Sequence, residues 1–124
     1  MKPEEFEQLV DRAVEELPQD FKDKLENISI VVEDYPSDEV LASFKPRPPK
    51  HGLLGVYIGI PYNRRPSSPI SGKLPDRIEL YRLNIEGICR TDREVVEQIR
   101  QTVIHEVGHY FGLDEATLRR LGNA

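Results

Sequence analysis

The chain has 124 residues, 38% of them hydrophobic and 31% charged, with a formal net charge of −5. That length carries one modest hydrophobic core, and that balance excludes a disordered chain. The acidic balance, with basic residues clustered only in small groups such as Arg64-Arg65 and Arg119-Arg120, argues against nucleic acid as the main partner.

The first residues, Met1-Lys2-Pro3-Glu4-Glu5, are acidic and carry no apolar stretch, so no secretory leader is expected. No run is apolar for long enough to span a bilayer, so no membrane partner is expected. The single cysteine, Cys89, allows no internal disulfide and reads as a bystander thiol. These features together lead to the expectation of a cytoplasmic protein.

Residues 4–17 place Phe6, Leu9, Val10, Ala13, Val14 and Leu17 at three- and four-residue spacing, the pattern of an amphipathic helix. Pro3 suits its first turn and Pro18 ends it. Asp20 to Leu25 adds a short turn. Ile28 to Glu33 is a β-branched run and reads as a strand. Residues 34–52, with four prolines, read as irregular, and a connection of that length is often functional or mobile. His51 near its end reads as a surface histidine. Leu53 to Ile60 is the second strand, closed by Pro61, and Asn63 to Pro75 is a loop. Arg77 to Leu83 alternates polar and apolar, as a half-buried strand antiparallel to the one before.

Thr91-Asp92-Arg93-Glu94 is a capping box that starts a long helix to about Phe111, with Gly112 in the stop position. Asp114 then caps a last short helix, Glu115 to Leu121. At about 100° per residue, Val96, Ile99, Val103, Val107 and Tyr110 gather on one face of the long helix, with Phe111 near them. His105 and His109 fall on the other face. They belong to His105-Glu106-Val107-Gly108-His109, a His-Glu-x-x-His pattern that sets two imidazoles one turn apart and a carboxylate beside them. Two such imidazoles can share a zinc ion, and Glu106 can then take a proton from water.

Catalytic zinc keeps three protein ligands, so a third is needed. A chain that turns at a glycine three residues past the second histidine brings back the residue six past it. Here that glycine is Gly112 and that residue is Glu115. Asp114 is one residue off this register and is better explained as a helix cap.

Leu54 to Pro61, Pro75 to Arg82 and, most specifically, His105 to Glu115 resemble the zincin metallopeptidases, and in particular the small bacterial minimal zincins, over about residues 53–121. The resemblance implies an α+β fold. A short, twisted, mostly antiparallel sheet would pack on an N-terminal helix and on the C-terminal active-site helix, as one domain over residues 1–124. Metzincins carry a histidine where Glu115 stands, and a methionine turn. The only methionine here is Met1, so the pattern is a His-Glu-x-x-His-x-x-Gly-x-x-Glu variant without that turn.

The implied activity is zinc-dependent hydrolysis of a peptide or protein substrate, with one Zn2+ on His105, His109 and Glu115, and Glu106 as general base. Tyr57, Tyr81, Arg82 and His51 are open choices for stabilising an oxyanion. A non-catalytic module fastened by zinc and a narrowly specific regulatory peptidase are the competing readings. Oligomeric state is left open by the sequence.

Overall fold

Helix α1 spans Pro3–Glu15, with proline in its first turn and Glu4 and Glu5 behind it, where negative charge favours a helix N-terminus. It buries Phe6, Val10 and Ala13. Pro18 separates it from α2 (Gln19–Lys24), which buries Phe21. The computed structural model describes residues 1–59 and 76–122, so the expected loop from Asn63 to Pro75 lies outside the described residues.

Strand β1 (Ser29–Glu33) follows α2. The stretch expected to be irregular holds a short helix, α3 (Asp38–Ala42). Ser37 is its N-cap, its Oγ accepting the Val40 N–H at 3.1 Å. Ser37-Asp38-Glu39 is a helix-start signal, masked in the sequence by the prolines on both sides. The end of this connection is tied down. Buried Asn84 donates from Nδ2 to the carbonyls of Lys50, at 2.8 Å, and Leu53, at 2.7 Å.

Strands β2 (Gly55–Ile58) and β3 (Arg77–Tyr81) complete a sheet of order β1-β3-β2. β2 and β3 are antiparallel, as expected, with Gly55 opposite Leu80 and Ile58 opposite Arg77. β1 and β3 are parallel, with Ser29 opposite Arg77 and Glu33 opposite Tyr81. The sheet is therefore mixed where a mostly antiparallel one is expected. A two-residue period marks a strand but carries no direction, and β3 enters between the two earlier strands.

The chain does not continue as a strand beyond Tyr81. It turns into α4 (Arg82–Gly87). Arg82 donates to Asp34 Oδ1 at 2.9 Å, Glu86 Oε2 at 2.9 Å and the Met1 carbonyl at 3.1 Å. One guanidinium thus joins the exit of β1, the helix α4 and the first residue.

The long helix α5 runs from Asp92 to Tyr110. Thr91 Oγ1 accepts the Glu94 N–H at 3.1 Å, and Glu94 Oε1 accepts the N–H of Arg90 at 2.9 Å, one residue before the cap. α5 packs against α1, α4, β2, β3 and the last helix, α6 (Glu115–Gly122). Val96, Ile99, Val103, Ile104 and Val107 are all fully buried along it. Each contributes roughly 1.5–3 kcal/mol by leaving water, so packing on several sides fixes the position of α5. Among the described residues, no helix is long and apolar enough to cross a membrane.

Candidate metal centre

The C-terminal end of α5 carries the site, and the turn after it shapes the site. Leu113 N–H donates to the Gly108 carbonyl at 2.9 Å, and Gly112 N–H to the His109 carbonyl at 3.0 Å. This pair of bonds is a Schellman ending. It needs a residue with positive φ, and Gly112 supplies it at +78°. α6 starts immediately, with Asp114 Oδ1 accepting the Thr117 N–H at 2.8 Å. That bond holds the Asp114 carboxyl below its ordinary range. Asp114 is therefore spent on the cap.

α6 folds back along α5 because Gly108 has no side chain. A Cβ there would run into Leu118 Cδ2, and Leu118 is fully buried. The close approach brings Glu115, the first residue of α6, over the two histidines. His109 Nε2 and Glu115 Oε1 are 2.8 Å apart, and His105 Nε2 and Glu115 Oε2 are 3.6 Å apart. The histidine partner holds the Glu115 carboxyl below its ordinary range. The three residues singled out by spacing are thus side by side.

The imidazole of His105 is oriented from behind. Its Nδ1 lies 2.9 Å from the Gln101 carbonyl oxygen. A carbonyl only accepts, so Nδ1 donates to it, and Nε2 faces Glu115. His109 differs: its Nε2 donates to the Glu115 carboxylate. Among the described residues, no group of three or more His, Cys, Asp and Glu side chains is spaced to hold a metal ion. By donor chemistry the set fits zinc: two imidazoles and one carboxylate, on one exposed face. Cys89 is remote in role, since burial pushes its thiol pKa up and Glu94 adds to the effect.

Glu106 points to the sheet. Tyr81 N–H donates to the Leu54 carbonyl at 2.9 Å, so alternate residues of β2 from Leu54 turn their backbone groups toward β3. Tyr57 falls on the other parity, and its N–H points away from β3. Glu106 Oε1 accepts it at 3.3 Å. Burial raises the Glu106 pKa, opposed by the Tyr57 N–H and by both histidines. A half-buried carboxylate with a raised pKa holds a proton more readily than a free one.

The four residues considered for an oxyanion are scattered. Tyr81 is fully buried, its hydroxyl donating to Glu79 Oε1 at 2.9 Å. Arg82 is engaged at the N-terminus, and His51 meets Tyr35 edge to face at 5.1 Å. Only Tyr57 lies beside Glu106, and its hydroxyl donates to Asp76 Oδ2 at 2.5 Å. Tyr110 corrects the reading of α5. Expected on the core face, it is half-buried and stacked on Tyr57, and Phe111 is exposed. Helical angle alone did not reveal this, because α5 ends beyond the edge of the core.

A conserved hypothetical protein from Thermus thermophilus, of known structure, shares the fold. It is 24% identical, with a TM-score of 0.50, over 96% of this chain and 99% of that one. No curated protein matches. The family model described as zincin-like metallopeptidase matches residues 25–123, which include the whole sheet, α5 and the α6 turn. On that match, the chain belongs to the zincin-like metallopeptidase family.

Proposed function

We propose that the chain hydrolyses peptide bonds, that it holds one zinc ion with His105, His109 and Glu115, and that Glu106 is the general base. Residues 1–124 would act as one unit. The observation that carries this reading is the convergence of both imidazoles and Glu115 on one face, with Glu106 beside them, bonded to the backbone of β2. When bound, zinc supplies Lewis acidity, which polarises a carbonyl and makes water a better nucleophile near neutral pH. Gln101 keeps His105 in the tautomer that a ligand needs. The peptide lies as an added strand along β2, which is an edge strand among the described residues. Glu106 takes one proton from the attacking water and passes it to the leaving nitrogen. The new C–O bond, the broken C–N bond and the transferred proton balance as hydrolysis.

A second reading draws on the same contacts. Glu115 is on α6 and both histidines are on α5, so zinc could serve only to fasten the two helices. Two measurements separate the readings. Under the peptidase reading, chelation stops hydrolysis and leaves the circular dichroism of the fold in place. Glu106→Gln then keeps one zinc per chain and loses at least ~100-fold in turnover. Full turnover in Glu106→Gln would remove Glu106 as the base. Unfolding on chelation, in a protein that cleaves no peptide, would favour the fastening role.

A further inference from the structure

Helix α6 has eight residues, too few to hold a helix alone in water, so its place is set by α5. The two helices meet at three levels. His109 faces Glu115 at the start of α6, Leu118 sits on Gly108 at its middle, and Gly122 meets Gln101 and Arg100 at its end. The first two levels belong to the metal centre and to the turn before it. The third lies at the far end of α6 from both.

Gln101 Nε2 donates to the Gly122 carbonyl at 3.2 Å and to Glu97 Oε1 at 3.1 Å. Both partners only accept, so the amide nitrogen faces them, and both of its hydrogens are used. Buried Arg100 donates to the same carbonyl at 3.5 Å and to Glu97 Oε2 at 3.0 Å. The last carbonyls of a helix have no partner within it. Here α5 supplies two donors, one of them cationic, where the helix dipole favours positive charge. The fit is close: a Cβ on Gly122 would lie 2.7 Å from the Gln101 amide.

We propose that Gln101 is a positioning residue for Glu115: its amide, seated on the Gly122 carbonyl, fixes the tilt of α6 and so the place of the third ligand. The proposal rests on the zinc-binding reading above. Leu118 on Gly108 acts as a pivot. At about 1.5 Å per residue, Glu115 lies about 4.5 Å from it along α6, and Gly122 about 6 Å away on the other side. A swing of about 1 Å at Gly122 therefore moves Glu115 by roughly 0.8 Å, several times the ~0.2 Å within which metal–ligand distances are held. The Gln101 amide stops that swing. Its backbone carbonyl meanwhile orients His105, so one residue of α5 bears on two of the three ligands.

Zinc titration and amide hydrogen exchange on the full chain test this. Gln101→Met keeps the length and helix propensity of the side chain and removes the donor. It should weaken zinc about tenfold, the low end for a lost outer partner of a metal site. In the metal-free chain it should speed exchange in α6 while α1 keeps its protection. Gln101→Lys, which again brings a donor to the carbonyl, should restore most of both. Gly122→Ala favours a helix by propensity but displaces the Gln101 amide, so it too should weaken zinc, and it serves as the test if Gln101→Met does not fold. In a Glu115→Ala background, Gln101→Met should weaken zinc no further. Parental zinc affinity in a folded Gln101→Met, or the same tenfold loss with Glu115 already removed, overturns the positioning role. A parent that binds no zinc overturns the zinc reading, and exchange then decides the clamp: unchanged α6 protection in Gln101→Met overturns it, and loss confined to α6 upholds it.

Discussion

Burial raises the proton affinity of both Glu106 and Tyr81, and their surroundings differ. At Glu106 the Tyr57 N–H and two histidines oppose the burial, and the net shift is still upward. At Tyr81 the Glu79 carboxylate reinforces it, and Arg77 opposes only weakly. The folded chain therefore holds the Tyr81 proton well past the ordinary tyrosine value of 10.0. A group whose folded pKa is raised contributes stability below the unfolded pKa and loses it as pH rises. Stability should thus hold up to about pH 10 and fall above it, as the unfolded chain loses a proton that the folded chain keeps. Urea midpoints measured from pH 8 to pH 11.5 should show this slope in the parent and a shallower one in Tyr81→Phe. Parallel slopes would contradict the assignment. Asp114 and Glu115 show how one residue of register separates roles: the first caps α6, and the second reaches the histidines.

Helix α5, its glycine ending and α6 form the element on which the site depends. Most of it was legible in the residues: the Thr91 cap, the stop at Gly112 and the Asp114 cap all use local chemistry. The packing of Gly108 on Leu118 was not, because it joins residues ten apart across a turn. Gly108→Ala adds a methyl where Leu118 stands. An exposed helix would gain up to about 1 kcal/mol from that change, but overpacking a buried site costs about 1–3 kcal/mol. The clash should win, lowering stability by about 1 kcal/mol, as read from the urea midpoint. It should also loosen zinc, because Glu115 moves with α6. A Gly108→Ala protein with parental stability and parental zinc affinity would show that this contact does not position Glu115.

At the scale of the molecule, the sequence marked where strands and long helices lie, and local patterns account for that. It did not reveal α3 or α4. The first is hidden among prolines. The second begins where an alternating strand pattern would run on through Arg82 and Leu83. Strand direction was also beyond it, since β1 and β3 pair in parallel although all of β2 lies between them in the chain. The stack of Tyr57 on Tyr110 joins β2 to the end of α5 and could not be assembled from spacing. The histidines, Glu106 and Glu115 lie on one helix and the turn after it, so their spacing was enough to single them out.

Zinc titration against a chromogenic competitor, on the parent and Glu115→Ala side by side, tests the central claim most directly. The account predicts one zinc per parent chain. Loss of an outer hydrogen-bond partner typically weakens a metal site 10–100-fold, so loss of a direct ligand in Glu115→Ala should weaken it by at least about 100-fold. A parent that binds no zinc, or a Glu115→Ala chain that binds it as tightly, would contradict the account.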